Sequence, residues 1–384
     1  MYLKILLPAL AAGIVLSCAT PALAWSPKLA VDENTWAQVG VLGQFQFEAK
    51  QDNAGTNGDQ WSNGAFVRRF RLLMQGSVHK NVQFLFDTDI PNAGKSADFG
   101  QPAPQEKLIL NDAFVDFNLV PALKFEVGRI LLPFSYENKQ SATALLGLDY
   151  NLNAIKIPTF SEPLAAWRDN GVEARGLLLN NLIDYRVGVF TGQRDNAINP
   201  DDHLRYTGHV MLNLAEAQPG WFYSNSNFGK QTIRSLGVGF DMQDDATPVY
   251  TTDTSVSPSV TTLASRQDYR AWEVDGQLEQ PLGNGQAISA SAAWFDWEHA
   301  AGDFSGNTAF AQAGYLVTPH WQPVLRWEHQ DPDAGRKLDT YHLGMNYLIK
   351  GHNANLKVDY ALHDRIGADG EEKDAFRLQA QFLY

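Results

Sequence analysis

Cysteine is nearly absent from this sequence, and its one copy is Cys18. That residue lies inside Met1–Ala24, which has the pattern of a secretory signal: a basic start, the apolar run Ile5–Val15 and a small-x-small site that ends at Ala24. A lipoprotein signal at Cys18 is the alternative, which the peptidase site at Ala24 disfavours. Without the signal, residues 25–384 contain no cysteine, which excludes disulfides and thiol chemistry.

Long apolar runs and an excess of basic residues are also missing. After residue 24, no apolar run reaches the roughly 20 residues that a membrane-spanning helix needs. The sequence has 30 basic and 43 acidic residues and a formal net charge of −13, which argues against nucleic acid as a partner. The protein is therefore either soluble or crosses a membrane with strands. An aromatic content of 11% beside a charged content of 19% is typical of outer-membrane barrels.

The last stretch of the chain, Asp374–Tyr384, has a period of two, which indicates a strand. Its apolar residues are Phe376, Leu378, Ala380, Phe382 and Tyr384, and its polar residues in between are Arg377, Gln379 and Gln381. A terminal strand that is apolar on one face and polar on the other suits a wall between lipid and water. Such a wall has to close, because an open sheet edge cannot lie in hydrocarbon. We therefore expect this strand to pair with the first one.

The same alternation recurs along the chain and predicts a transmembrane antiparallel β-barrel, an all-β fold of about 16 strands. The predicted strands are Gln38–Glu48, Ala65–Val78, Val82–Ile90, Asp112–Asn118, Lys124–Val127, Gly171–Leu179, Leu182–Gly192, Arg205–Leu214, Thr232–Met242, Asp268–Leu278, Ala287–Glu298, Thr308–Val317, Trp321–His329, Leu338–Ile349, Ala354–His363 and the closing strand. Short and long connections alternate, which places both termini on the periplasmic side. A soluble β-sandwich is the alternative, since one apolar face per strand fits either fold.

Two connections stand out from this rhythm. Pro133–Asn170 is the longest interruption, contains several prolines and indicates a helical turn around Ser141–Leu148. A structureless insertion of this size in a compact protein is usually functional. Ala215–Gln231 is long where a short connection is expected. Lys50–Gly64 is polar and rich in glycine, which predicts an exposed loop.

Four stretches carry a family resemblance. They read FVRRFRLLMQGSV (66–78), LNDAFVDFNLVPALKFEVGRILLPFSYEN (110–138), DYRVGVFTG (184–192) and GWFYSNSNFGK (220–230). The most specific form is Gly128, Arg129, Pro133, Phe134 and Ser135. These stretches resemble the phosphate-selective porin (O/P type) family of Gram-negative bacteria. The resemblance implies a homotrimeric, water-filled channel of 16 strands whose third long loop, here Pro133–Asn170, folds inward as a constriction. In the members that gave the family its name, lumenal arginines and a lysine cluster select anions.

Anion selectivity needs cationic side chains on the polar face of the wall. The candidate lumenal residues are Arg69, Arg71, Lys124, Arg129, Arg175 and Arg186. Arg69 and Arg71 lie two residues apart on one face, near the expected path of the inward loop, whereas the parity of Arg68 places it on the lipid side. The same polar faces carry many carboxylates, so we expect most of the charges to pair across strands.

Two other classes of function remain open. An outer-membrane enzyme of the lipase kind would need a Ser–His pair. His209, Ser289 and Ser291 lie on polar faces, but no nucleophile elbow marks a serine. A structural or adhesive barrel would use its long loops for recognition. The sequence has no HExxH motif and no close histidine pair, so neither a metal site nor a cofactor is predicted.

The sequence therefore predicts an outer-membrane porin, formed by residues 25–384 in a Gram-negative bacterium, and not an enzyme. Small hydrophilic solutes would diffuse passively through a lumen that the inward loop narrows. Inorganic anions such as phosphate follow from the resemblance, while the mixture of lumenal charges indicates weak or mixed selectivity. Outer-membrane lipid and lipopolysaccharide are the expected surroundings, and acidic loop tips such as Asp331 and Asp333 either face water or bridge to lipopolysaccharide.

Overall fold

A computed structural model describes residues 26–101, 104, 106–158, 166–192, 202–253, 260–367 and 370–384. The predicted signal, Met1–Ala24, lies outside the described residues. The described chain is nearly all strand. Among these residues, no helix has the length and apolar character required to cross a bilayer.

Seventeen strands form one sheet. They are β1 (Leu29–Ala30), β2 (Trp36–Ala54), β3 (Gln60–His79), β4 (Val82–Asp89), β5 (Ile109–Val120), β6 (Leu123–Leu131), β7 (Arg168–Leu178), β8 (Ile183–Phe190), β9 (Arg205–Asn213), β10 (Ile233–Asp253), β11 (Val260–Gly283), β12 (Gln286–Ala300), β13 (Phe304–Leu316), β14 (Trp321–Pro332), β15 (Leu338–Leu348), β16 (Ala354–Ile366) and β17 (Glu372–Leu383). The two-residue β1 only borders β2. The other 16 strands, all within the described residues, make the barrel.

The barrel closes between its first and last long strands, as predicted. Each strand from β2 to β17 pairs antiparallel with the next, and β17 pairs with β2, where Phe382 is the register partner of Gly43. The closure extends to the final residue, because the backbones of Val41 and Tyr384 exchange hydrogen bonds of 2.6 and 2.9 Å. A closed sheet has no edge strand with unpaired backbone N–H and C=O groups, and a β-sheet can lie in lipid only under this condition.

Side chains alternate across this wall. Along β17, Leu378 and Phe382 are 40% and 39% exposed on the outside, whereas Gln379 and Gln381 are buried inside. Along β12 the same division holds only near its start, where Ser289 and Ser291 are buried inside. Further along this strand, Phe295 and Trp297 are buried on the inner face and pack against Phe134. The outward apolar face agrees with the period of two, whereas the interior is polar with an apolar patch near the end of the long loops.

Several strands are longer than the alternation predicted. β10 continues far beyond Met242, and β11 begins well before Asp268. The two strands form one long hairpin. Most of the predicted loop Lys50–Gly64 is strand in β2 and β3. The segment around Ser141–Leu148 contains turns and bends but no helix, so the predicted helical turn is wrong.

The connections sort by the end of the barrel at which they lie. Links such as residues 80–81, 121–122 and 284–285 are tight and lie at the end of the barrel where β2 begins and β17 ends. Longer links, such as residues 90–108 and 132–167, lie at the other end. Residues 214–232 are the exception, since this long connection leaves β9 at the end of the tight turns.

Candidate functional site

The connection after β6 enters the barrel from the end of the long loops over its described residues, 132–158 and 166–167, and we call these the first insert. These residues are largely buried. Cationic side chains on distant strands hold its backbone. Lys357 Nζ on β16 donates to the carbonyls of Leu145 and Gly147 at 2.6 and 2.7 Å. Arg326 on β14 donates to the carbonyl of Asp149 at 2.7 Å. These lumenal cations therefore stabilise the loop that narrows the lumen.

Asp149 of the first insert is held by a pair of arginines. Its carboxylate lies 2.7 Å from Arg68 Nε and 2.7 Å from Arg69 Nη2. Burial alone would raise the pKa of Asp149, but the two guanidiniums hold it well below its usual range. The placement of Arg68 on the lipid side is wrong, because β3 has a bulge there: Gln44 pairs with Arg69 and Phe45 with Val67, which leaves Arg68 unpaired in the register.

The long connection at the other end, residues 214–232, also turns into the lumen, and we call it the second insert. Strand side chains hold it as well. Arg186 on β8 donates to the carbonyls of Gly220 and Trp221 at 2.7 and 3.0 Å. Glu279 on β11 accepts from the backbone amides of Asn227 and Gly229 at 2.6 Å each. The connection that interrupts the alternation of short and long links therefore lies partly buried in the lumen, through residues such as Tyr223, Asn225 and Ser226.

The two inserts meet inside the barrel. The rings of Tyr136 and Tyr223 stack with centroids 4.7 Å apart and an interplanar angle of 4°. The backbone of Tyr223 donates to Lys139 O at 3.1 Å and accepts from Ser141 N at 3.0 Å, so the two inserts share strand-like hydrogen bonds. Segments from opposite ends of the barrel thus form one continuous obstruction.

Glu137 lies at this junction. Its carboxylate accepts hydrogen bonds from Gln140 at 2.5 Å and Asn151 at 2.6 Å in the first insert, and from Asn225 in the second insert at 3.4 Å. Burial raises the pKa of Glu137 to about 7, with the nearby Arg326 acting in the opposite direction. The junction therefore contains a carboxyl group that titrates near neutral pH.

Three of the predicted cations form one row on the inner wall. Lys124 on β6 is the register partner of Arg175 on β7, which is the partner of Arg186 on β8. His209 on β9 continues the row. The topology therefore brings together residues that are up to 85 positions apart in the chain.

Carboxylates two positions along the same strands neutralise this row. Arg175 lies 2.7 Å from Asp116 and 2.5 Å from Glu126. Glu173 is the register partner of Glu126 and pairs at 2.8 Å with Lys139 of the first insert. The expectation that most lumenal charges pair across strands agrees with these contacts.

Arg71 lies on a different part of the wall, on β3. Its guanidinium pairs with Asp89 at 2.9 Å and with Asp87 at 3.1 Å. It lines a cavity of about 60 Å³ between the wall and both inserts, together with Arg168, Asp112, Thr143 and Trp221. At ~10–15 Å³ of such volume for each water, the cavity has room for about four water molecules.

Arg129 does not join the other predicted cations. It follows exposed Val127 by two residues on β6, whereas Glu126 and Ile130 are buried on the inner face. The alternation of the strand therefore favours the outer face for Arg129 and sets it apart from the row of Lys124, Arg175 and Arg186. The family-like motif that contains it has a backbone role, because Gly128 adopts a φ of 139° and a Cβ there would lie 2.2 Å from Ala113 O.

The sequence reasoning missed several lumenal residues. Arg168 pairs with Asp112 at 3.0 Å, and Arg205 pairs with Asp241 at 2.5 Å. Trp221 donates through Nε1 to Asp116 at 2.8 Å from the second insert. Strand-terminal positions concealed the two arginines, whereas the aromatic residues of the stretch GWFYSNSNFGK were a usable signal for a buried connection.

The residues considered for an esterase-like pair have other partners. Ser289 contacts Ser226 of the second insert at 3.2 Å, and Ser291 accepts from Gln312 at 2.9 Å. His209 lies 3.1 Å from Asp275 and 3.3 Å from Glu273. These side chains therefore belong to three separate contacts.

The comparison with protein families decides between the classes of function that the sequence left open. A model of the family described as phosphate-selective porin O and P matches residues 39–384. The chain belongs to this family. It is thus an outer-membrane porin of the Gram-negative type, and its barrel is a channel for small solutes.

Individual relatives are distant in sequence. An uncharacterized protein of Aquifex aeolicus (strain VF5) is 21% identical over 289 residues, which cover 71% of the porin and 67% of that protein. OmpF of Salmonella typhi, solved in complex with daunomycin, is 10% identical with a TM-score of 0.61, over 93% of the porin and 100% of that chain. The anion-selective porin from Comamonas acidovorans is 11% identical with a TM-score of 0.56, over 91% and 100%. These solved structures share the fold of the porin.

Proposed function

We propose that this porin is a narrow channel for inorganic ions and the smallest hydrophilic solutes, with its aperture set by two inserts from opposite ends. The observation that carries the proposal is the contact of the inserts at Tyr136 and Tyr223 inside the closed barrel. A single inward loop narrows a lumen from one side only. Two inserts that share backbone hydrogen bonds leave a much smaller path.

The path that we propose follows the wall of β3 to β5, where Arg71 lines the 60 Å³ cavity. Arg71 and Arg168 face Asp87 and Asp112 there, so cationic and anionic groups are in balance. An anion such as phosphate would compete with these carboxylates for the guanidiniums. The porin would accordingly admit anions with weak selectivity, in agreement with the resemblance to anion-selecting members of the family.

The predicted cations divide by role in this proposal. Arg71 and the partly exposed Lys124 contact permeating ions. Arg69, Arg175 and Arg186 are buried and hold the inserts through Asp149, Pro219 O and Trp221 O. The second group therefore acts on permeation through the shape of the lumen.

The assembly of the porin is also part of the proposal. Residues 25–384 would form the mature chain after removal of Met1–Ala24. The resemblance to the family supports a homotrimer, and the exposed apolar side chains of the outer wall, such as Leu72, Val238 and Leu325, support contact with lipid. Acidic loop tips would bridge to lipopolysaccharide through divalent cations.

Planar-bilayer recording with the purified mature protein tests this proposal. We expect small conductance steps, a reversal potential near zero in a potassium chloride gradient, and a lower chloride conductance when phosphate is added. Large steps that scale linearly with salt and do not respond to phosphate would indicate a wide, general pore. Detergent-solubilised protein without any channel activity would exclude the proposed function.

A further inference from the structure

His209, Glu273 and Asp275 form a buried cluster on the inner wall, apart from the proposed ion path along β3 to β5. The three side chains are 2%, 2% and 3% exposed. One possible ligand atom from each lies within 4.8 Å of the others. His209 is on β9 and the two carboxylates are on β11, so β10 runs between them.

Two glycines on β10 create the space in which the cluster meets. Gly239 is the register partner of His209 and of Glu273, and Gly237 is the partner of Asp275. A Cβ at Gly237 would lie 2.3 Å from His209 Nε2 and 2.4 Å from Asp275 Oδ1. Side chains from non-adjacent strands can therefore converge above β10 only because both positions lack a side chain.

Four polar atoms of this cluster lack a hydrogen-bond partner. His209 Nε2, both carboxylate oxygens of Glu273 and Oδ1 of Asp275 are buried without a hydrogen-bond partner. Among the described residues, no lysine or arginine forms an ion pair with Glu273 or Asp275. Other buried carboxylates of the inner wall, such as Asp112, Asp116 and Asp241, have an arginine partner. Buried carboxylates without such a partner are costly unless a proton, an ion or water compensates them.

We propose that His209, Glu273 and Asp275 bind a divalent transition-metal ion of the Zn²⁺ type. A tetrahedral site with bonds of ~2.0–2.2 Å to nitrogen and oxygen has ligands about 3.4 Å apart. His209 Nε2 lies 3.1 Å from Asp275 Oδ2 and 3.3 Å from Glu273 Oε1, which fits this geometry. The imidazole nitrogen favours Zn²⁺ and similar ions over Ca²⁺ and Mg²⁺, which prefer oxygen ligands.

The site is connected to the first insert. Asp275 Oδ2 accepts a hydrogen bond of 2.9 Å from the backbone amide of Tyr136, the residue that stacks on Tyr223. Outer-shell hydrogen bonds of this type orient metal ligands. A bound ion would therefore fix both the carboxylate and the start of the first insert at the inner wall.

A second histidine provides a matched control. His342 is also buried between two carboxylates, with Nδ1 2.9 Å from Asp359 and Nε2 3.2 Å from Glu328. There, however, Arg326 lies 3.4 Å from Glu328 and Arg377 lies 3.9 Å from Asp359. Both ring nitrogens and both carboxylates thus have ionic partners, and this cluster needs no metal.

Titration of the refolded, full mature porin with Zn²⁺ in a non-chelating buffer tests the site. We expect the wild type to bind one Zn²⁺ ion per chain. H209N and D275N each remove a ligand, so each should lower the affinity by more than the ~10–100-fold that loss of an outer-shell partner costs. H342N should bind as the wild type does. Circular dichroism and the heat-dependent mobility of the barrel on gels verify that each variant is folded.

X-ray absorption of the Zn²⁺-loaded wild type supplies a readout that needs no variant. One nitrogen and otherwise oxygen neighbours at about 2.0–2.2 Å would support the site. A wild type that binds no Zn²⁺, equal binding in H209N, or an all-oxygen shell would overturn the proposal and leave the cluster as a hydrated one. These results concern binding alone, so they are independent of whether the porin conducts.

Discussion

Tyr136 and Tyr223 come from connections at opposite ends of the barrel, yet their rings lie parallel 4.7 Å apart in the lumen. Both are almost fully buried. The hydroxyl of Tyr136 donates to Ser224 O at 2.7 Å, and that of Tyr223 lies 2.8 Å from Arg186 Nε and 3.1 Å from Asp184. This pair joins the first insert to the second and links both to the wall.

The stacked pair should contribute a measurable coupling energy. In a double-mutant cycle with Tyr136→Ala and Tyr223→Ala, we expect the two losses in unfolding free energy to be non-additive by about 0.5–1.5 kcal/mol. Urea unfolding of the barrel in detergent measures this. Tyr206→Ala on the outer face, where Tyr206 is exposed, should add independently to either variant. Additive losses for the tyrosine pair would show that the two rings do not stabilise each other.

Arg71 is predicted to balance the carboxylates of the cavity. Arg71→Gln, alone or with Arg69→Gln, leaves Asp87 and Asp89 without their guanidinium partner, so selectivity should shift toward cations. Reversal potentials in a potassium chloride gradient measure the shift. Arg377→Gln is the control, because Arg377 pairs with Glu48 and Asp364 away from that cavity. An unchanged reversal potential in Arg71→Gln would exclude this route for ions.

Lys357 should limit the motion of the first insert. Its ammonium holds two insert carbonyls, and a hydrogen bond to a charged group contributes about 1.5–3 kcal/mol. Lys357→Met should therefore give a larger and noisier single-channel current. Lys337→Met, at an exposed lysine that pairs with Asp331, is the matched control. Identical current noise in both variants would mean that the loop is held by other contacts.

Stability should depend on the protonation of Glu137. Its ordinary pKa of 4.5 is raised by burial to about 7 in the folded state, so the folded porin binds the proton more tightly than the unfolded chain does. The stabilisation is complete below pH 4.5 and is lost as the pH rises through 7. Arg326, which opposes the shift, and Glu328, which adds to it, both face this carboxyl.

Glu137→Gln should remove that pH dependence. We expect the wild type to lose a few kcal/mol of unfolding free energy between pH 5 and 8, and the variant to lose much less over the same range. Glu33→Gln, at an exposed carboxylate, should retain the wild-type slope. Equal slopes for Glu137→Gln and the wild type would show that the junction is open to water.

The strands could be predicted because a membrane wall imposes the same alternation on every crossing. That signal ends where the membrane ends. β10 extends past Met242 through polar residues such as Gln243 and Asp244. A strand outside the lipid does not require an apolar outer face, so the alternation stops there although the strand continues. The bulge that turned Arg68 inward is a local change of register, and the alternation of residue types does not report it.

The contents of the lumen were much harder to predict. Contacts between residues far apart in the chain determine which groups lie in the lumen. This holds for the two inserts, for Arg168 and for the cluster at His209. His209 and Glu273 are 64 positions apart and meet only because Gly239 separates them in the sheet. The second insert was visible as an irregular connection, but its burial follows from Arg186 and Glu279, whose role no local pattern reveals.

The most direct test of the account shortens the second insert. Glu216 N and Thr232 O are already hydrogen bonded at 2.9 Å, so a tight turn can replace residues 218–230 without changing the register of β9 and β10. Single-channel conductance of this variant should rise several-fold over the wild type. An unchanged conductance would contradict the claim that two inserts together set the aperture of the porin.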